Sequence, residues 1–465
     1  MNTCAKGARI LLIGASMAVS AACVTVPNSA GGTRDAQIDA VLQQVSAPRI
    51  ESSVRSLAGF GTRHTLSDTT NDSRGIGAAR RWIKAEFERA SAASGGRLRV
   101  EEDAFVQPPG PRNPQAVELV NVVATLPGVQ PEARERIYVV SGHYDSRASD
   151  VMDADRDAPG ANDDASGVAA VLELARVMSQ FEWEATLVFM AVAGEEQGLL
   201  GARHWAQRAR AQNLNIAGMI TNDIIGSSRA EDGAVHDREV RLFAEGVPPD
   251  APLTDELVAR LKTGGENDSP ARELGRFIVD AAGAQLPDMR VTLIYRRDRF
   301  LRGGDHTPFL QAGYAAVRLT EPNEDFRHQH QDVRSEGGVQ FGDLPVFCDF
   351  EYVARVTRVN AAALGSLALA PAQPSGVRVD TGALTNATTL YWDANREPDL
   401  AGYEVVWRDT TSPTWQHTAP AGPATQITLP VSKDNVIFGV RAVDRDGHRS
   451  PAVYPTPGVL ARDGR

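Results

Sequence analysis

Five side chains, His143, Asp163, Glu196, Asp223 and His328, end or follow apolar runs, and together they make an imidazole and carboxylate set suited to two divalent metal ions. Each lies in a short string: Ser-Gly-His143-Tyr-Asp145-Ser, Gly-Ala-Asn-Asp163-Asp-Ala-Ser-Gly, Ala-Gly-Glu195-Glu196-Gln-Gly, Thr-Asn-Asp223-Ile-Ile-Gly and Arg-His328-Gln-His-Gln-Asp332. Nitrogen and oxygen donors without thiolate suit zinc, with manganese or cobalt also accommodated. One carboxylate shared between two ions holds them about 3.5–4 Å apart. Asp163 is the natural bridge, because it opens a helix whose dipole tolerates concentrated negative charge and is flanked by the small residues Gly160, Ala161, Ala165 and Gly167. His143 and Asp223 would complete one ion's ligands, and Glu196 and His328 the other's. This is the chemistry of metal-assisted hydrolysis.

Three carboxylates have supporting roles in this reading. Asp145, two residues beyond His143 on an extended chain, can accept the proton of the non-ligating ring nitrogen and fix its tautomer. Asp332 is placed to do the same near His328. Glu195 cannot easily chelate the ion held by its neighbour Glu196, so it faces the water as general base and then general acid. Taken singly, each ligand would read as a hydrogen-bonded junction histidine or a helix-capping aspartate. The ordered set carries the chemistry.

To position these groups the chain needs an α/β scaffold. Apolar residues recur at helical spacing over 36–60 and 75–90, after which strand patterns (117–126, 137–141, 185–192, 217–225, 315–319) alternate with helical ones (166–179, 199–212). A further helix is indicated at 270–282, within an otherwise irregular stretch from 226 to 298. Such alternation predicts a mixed, mainly parallel sheet sandwiched by helices. His143, Glu195, Glu196 and Asp223 then fall at the C-terminal ends of strands, where open α/β sheets place their sites. From about Pro371 the texture changes to short β runs, at 376–379, 388–392, 402–407, 424–428 and 436–442, which predicts a small all-β sandwich. Leu390-Tyr-Trp392, Gly402-Tyr-Glu-Val-Val-Trp407 and Phe438-Gly-Val-Arg-Ala-Val resemble the central strands of fibronectin type III modules, which bind a surface, carbohydrate or protein partner, or act as spacers.

The formal charge of -11 and the lack of any long basic run argue against nucleic-acid binding. Lys6 and Arg9 precede the apolar stretch Ile10 to Val19, too short to span a bilayer and ending in small residues, so residues 1–22 read as an export signal. Ser20-Ala21-Ala22-Cys23 fits either ordinary cleavage, giving a secreted or periplasmic protein, or a lipoprotein site that anchors Cys23 in a membrane. With three cysteines in all, one of them inside the signal, disulfides are not the framework of the fold. The expected division is a signal at 1–22, a linker at 23–34, a catalytic domain at 35–368 and the β module at 372–462.

The strings, in this order, resemble the di-zinc exopeptidase family that contains bacterial secreted aminopeptidases, glutamate carboxypeptidase II and the glutaminyl cyclases. The resemblance spans roughly Ser53 to Arg334. It implies that His143, Asp163, Glu196, Asp223 and His328 hold two zinc ions, with Asp163 bridging and Glu195 as the base, on a peptide substrate. Two features depart from the pattern. Arg327 stands where some aminopeptidases of the family carry a tyrosine that steadies the tetrahedral intermediate, and it becomes a candidate substrate-binding residue. His330 is a rival imidazole two positions beyond His328, although the family's four-residue spacing to Asp332 favours His328. Asp305, in Gly-Gly-Asp-His-Thr-Pro-Phe, matches a stretch bordering the substrate pocket in relatives. An acidic rim at Asp150 to Asp157 would favour a free amino terminus and hence an aminopeptidase, whereas Arg297, Arg299 and Arg302 would receive a carboxylate and favour a carboxypeptidase. A glutaminyl cyclase would need one metal, and a non-catalytic peptide-binding ectodomain would have lost ligands that this chain retains.

Overall fold

In the computed structural model, residues 34–249 and 251–460 are described; the export segment 1–22 and Cys23 lie outside them. Helices α1 (Ala36–Gln44), α2 (Ala47–Gly59) and α3 (Ile76–Ala93) precede β1 (Arg99–Gln107), β2 (Val117–Leu126), β3 (Arg136–His143), α4 (Ser166–Met178), β4 (Thr186–Val192), α5 (Leu200–Ala211) and β5 (Asn215–Asn222). The chain continues through β6 (Glu239–Ala244), α6 (Asp255–Lys262), α7 (Pro270–Gln285), β7 (Arg290–Ile294), α8 (His306–Gln311) and β8 (Ala316–Thr320). A hairpin of β9 (Arg334–Glu336) and β10 (Val339–Phe341) leads to the long α9 (Phe350–Leu369).

The first eight strands form one sheet in the order β1-β2-β4-β3-β5-β8-β6-β7. Its centre, β4-β3-β5-β8, is parallel, while β2 joins antiparallel to β4 and β6 antiparallel to β8. The central strands are near-continuous apolar runs because both faces are covered. On β4, Leu187, Phe189 and Ala191 enter the core shared with α1 to α4, α7 and α9, and Val188, Met190 and Val192 enter a second core with α5 and α8.

The mixed α/β class is as the sequence indicates, with local differences: β6, α6 and β7 lie in the stretch 226–298 expected to hold one helix only, and three further elements depart from the pattern. The helix expected over 36–60 breaks at Val45 and Ser46, since Pro48 can begin a helix but cannot continue one. Strand β1 is largely exposed at the sheet edge, and its apolar residues Val100, Ala104, Phe105 and Val106 do not alternate with polar ones. Helix α9 is buried over most of its surface, with Glu351, Arg355 and Arg358 on its open side, and the sequence reading did not single it out.

Seven short strands follow: β11 (Arg378–Asp380), β12 (Thr388–Tyr391), β13 (Leu400–Asp409), β14 (His417–Gly422), β15 (Gln426–Leu429), β16 (Val436–Asp444) and β17 (Thr456–Gly458). They make two small sheets, β15-β12-β11-β17 and β14-β13-β16, around Val377, Leu390, Trp392, Tyr403, Val405, Phe438 and Val440. This region docks on the larger sheet's helices through buried charge. Arg408 donates two hydrogen bonds to Asp268 at 2.8 and 2.9 Å, Arg276 pairs with Asp268 at 3.1 Å and with Glu273, and Trp415 Nε1 donates to Glu273 at 3.2 Å. Arg276 and Tyr295 both donate to the Pro413 carbonyl.

A second contact is sensitive to pH. His448 lies between Asp444 at 2.8 Å and Asp35 at 3.2 Å, the N-cap of α1. Against the opposing effect of burial, the two carboxylates raise its imidazole to about 9, from an ordinary value of 6.5. The stability it contributes is complete below the unfolded value and is lost as pH rises through about 9. Unfolding scanned across that window is expected to show a decline of roughly 1–2 kcal/mol once solvent screening of this partly exposed pair is allowed for, and His448→Gln is expected to flatten it.

Candidate metal centre

The ends of β3, β4 and β5 lie side by side, and they deliver His143, the Glu195-Glu196 pair and Asp223 to one edge of the sheet. The tight turn Ala161–Ala165, which contains a cis peptide between Asp163 and Asp164, then brings Asp163 between them at the start of α4. Close approach requires small residues here. A Cβ on Gly142 would meet the Gly167 carbonyl carbon at 2.6 Å, and one on Gly167 would meet the Asn222 oxygen at 2.4 Å.

Two ligand groups result, each with donor atoms within 4.8 Å of one another: His143, Asp163 and Asp223; and Asp163, Glu196 and His330. Asp163 belongs to both. Its Oδ1 lies 3.0 Å from His143 Nε2 and its Oδ2 lies 3.0 Å from His330 Nε2, which is also 2.9 Å from Glu196 Oε1. His143 Nε2 is buried and makes no hydrogen bond, as befits a nitrogen lone pair reserved for a cation. An orphaned imidazole nitrogen facing buried carboxylates fits zinc by donor type and by position.

His330, not the expected His328, enters this site. His328 instead stacks on Phe347 with ring centroids 3.6 Å apart, and its Nδ1 lies 3.7 Å from Asp325. The backbone explains the change. His328 N and Gln329 N both donate to the Asp325 carbonyl, forming a turn, and His330 adopts a left-handed φ of 52° that swings its side chain inward. Asp332 supports neither imidazole; it accepts from Ser149 N at 3.1 Å and from Arg156 at 2.5 Å, pinning the 149–156 loop.

The remaining expected residues are placed as follows. Asp145 is fully buried, with its carboxylate 3.6 Å from His143 Nδ1; its backbone carbonyl is the nearer partner at 3.1 Å. The carboxylate accepts from the backbone N–H groups of Glu195 and Glu196 and from Thr65, so it ties the two ligand loops together. Glu195 borders the cleft, and burial, opposed by His143 and reinforced by Glu196 and Asp223, raises its carboxyl well above the ordinary range. Asp305 is buried beside the site, neither carboxylate oxygen hydrogen bonded, and burial with Asp145 and Asp223 nearby pushes it up to about 7. Arg327 does not line the cleft. It pairs with Asp325 and reaches the Glu231 carbonyl, because the same turn that redirects His328 points it outward.

Several positioning residues escape the sequence reading. Asp164 accepts from the backbone of His143 and Gly167, both at 3.0 Å, locking β3 to α4. Asp343 accepts from Asn162 N and Asp163 N at 2.8 and 2.7 Å. Buried Arg63 donates to the carbonyls of Leu57, Tyr144, Pro159 and Gly160. Buried Arg318 pairs with Asp223 and Asp298, both at 2.9 Å, and despite the cost of burial holds Asp223 below the ordinary carboxylate range. Asp164 stood in the Asn-Asp string; the others lie far away in sequence, with no motif around them.

A cleft of about 380 Å³ opens over the two groups, lined by Asp163, Glu195, Glu196, Asp223 and His330 together with Arg112, Arg147, Arg299 and Arg302. The Asp150 to Asp157 loop is absent from that lining. Two of its four aspartates are met by arginines, Asp153 by Arg156, which also pairs with Asp332, and Asp157 by Arg74.

A parallel-centred sheet with an aspartate shared by two imidazole–carboxylate groups fits a metal-dependent hydrolase. The comparisons agree: residues 121–336 match the model of peptidase family M28. A probable zinc metalloprotease of Leptosphaeria maculans is 50% identical over 91% of this chain and 97% of its own length. The chain belongs to peptidase family M28 and is a zinc-dependent peptidase. Among solved structures, LapB of Legionella pneumophila matches with a TM-score of 0.51 at 20% identity, over 73% of this chain and 77% of its own. An aminopeptidase of Aneurinibacillus matches at 0.51 and 15% identity, over 71% and 96%. At such identities the likeness concerns the fold.

Proposed function

We propose that this chain is a two-metal exopeptidase that removes N-terminal residues from peptides, with His143 and Asp223 holding one zinc ion, Glu196 and His330 the other, and Asp163 shared. The observation that carries the reading is Asp163 itself, which turns one oxygen toward each group. When bound, the ions would polarise the scissile carbonyl and make water acidic enough to ionise near neutral pH. Glu195, at the cleft beside these groups, would take a proton from the attacking water and give it to the leaving amine. Asp145 keeps the Glu195 and Glu196 backbone in place through this exchange. Cobalt or manganese would satisfy the same donors.

Carboxy-terminal cleavage is a second reading, favoured by the arginines that border the cleft. Metal analysis and turnover of aminoacyl-nitroanilides, with and without chelator, test the proposal. The expected result is two zinc ions per chain and activity abolished by chelation and restored by zinc. One ion per chain would contradict the shared aspartate, and chelator-resistant turnover would contradict the mechanism.

A further inference from the structure

The arginines of the cleft serve no structural charge that would explain them all. Arg299 is paired, with Glu324 at 2.7 Å and Asp298 at 3.3 Å. Arg112 reaches only the Glu196 carbonyl at 2.7 Å, and Arg147 only the carbonyls of Ala148 and Ser149. Arg302 is exposed on the rim with no side-chain partner among the described residues. Arg297, expected to share in this work, is taken by Glu245 at 2.6 Å. Three guanidinium groups thus face the cleft without a carboxylate of their own, in a chain whose formal charge is -11.

The carboxylates lining the cleft are Asp163, Glu195, Glu196 and Asp223, which balance its four arginines. On the two-metal reading proposed above, on which this inference rests, bound dications tip the loaded cleft to strongly positive. A positive, walled cleft concentrates anions and repels a second ammonium. Arginine's planar fork also matches a carboxylate in geometry.

We infer that the cleft selects short peptides carrying a carboxylate on the leaving-group side of the scissile bond, received by Arg302 with Arg147 and Arg112. The cleft lies at the small end of the range for small-molecule sites, so the far end of a short peptide reaches these arginines while its first residue sits at the metals. A free peptide terminus and an acidic side chain supply the same chemistry.

The test compares three tripeptides on the zinc-loaded full-length chain: one with a free C-terminal carboxylate, its C-terminal amide, and an amide with glutamate as the last residue. The free acid is expected to show a KM about tenfold below that of its amide, with the gap narrowing as salt is raised. The Arg147→Gln/Arg302→Gln double variant is expected to bring the two KM values together, and Arg302→Lys to retain part of the gap. If the glutamate amide recovers the low KM, a side-chain carboxylate is read; if it does not, the terminal one is. Equal KM values for the wild-type protein would overturn the inference. So would a gap that persists undiminished in the double variant, since the metals alone would then be holding the carboxylate. If no peptide is hydrolysed, the exopeptidase proposal fails separately, and calorimetric titration with the free acid and the amide still reads the preference. Equal affinities there would overturn the inference as well.

Discussion

Glu195→Gln is expected to lower peptide turnover by roughly 10²–10⁴-fold, the usual worth of a positioned general base, while both zinc equivalents stay bound. The carboxylate borders the cleft beside the ligands but belongs to neither donor group. The amide keeps its shape and loses only the ability to take a proton. Glu196→Ala is expected to behave differently, because Glu196 Oε1 lies 2.9 Å from His330 Nε2 within the second group. Metal content should fall by one equivalent, with activity falling as a consequence. Metal analysis alongside kcat separates the two adjacent glutamates. Equal metal loss in both variants would contradict the assignment.

The second large effect distinguishes two histidines only two positions apart. His330→Ala is expected to release one zinc equivalent and to weaken metal binding by more than the roughly 10–100-fold that losing a supporting partner costs. His328→Ala is expected to keep both. Its ring stacks on Phe347 and faces Asp325, so the change removes an aromatic contact worth about 0.5–1.5 kcal/mol. Equilibrium dialysis against zinc compares the two variants, and a His328→Ala protein short of one zinc would restore the ligand set expected from spacing alone.

That exchange marks where sequence reasoning stopped. Asp163, His143, Glu196 and Asp223 were legible because each sits at a strand end or helix start with rigid geometry on one side, so its address follows from the pattern of apolar runs. The last ligand sits in a loop. Its direction depends on the turn closed by Asp325 and on the left-handed backbone at His330, and neither leaves a mark in residue spacing. The same limit applies to Arg63, Arg318 and Asp343, whose partners are backbone groups or carboxylates distant in the chain. In the fold, the central strands were plain as short apolar runs, α4 as a longer one, and α5 from its helical spacing. Helix α9 was not picked out although Glu351, Arg355 and Arg358 give it a polar side, and β1 was missed because its apolar residues Val100, Ala104, Phe105 and Val106 do not alternate with polar ones.

The buried charges around Asp268 tie the C-terminal strands to a segment that borders the cleft. Arg408 and Trp415 reach across to Asp268 and Glu273, and the Pro413 carbonyl receives both Arg276 and the Tyr295 hydroxyl. Tyr295 begins the segment that carries Arg299 and Arg302 to the cleft. Pruning the tail would remove Arg408 and Trp415 from Asp268 and Glu273, open those carboxylates to water, and release the hold of the Pro413 carbonyl on Tyr295 at the root of that segment. The terminal region is therefore a buttress for the cleft wall, and any ancestor or variant lacking it would have to anchor that arm by other means.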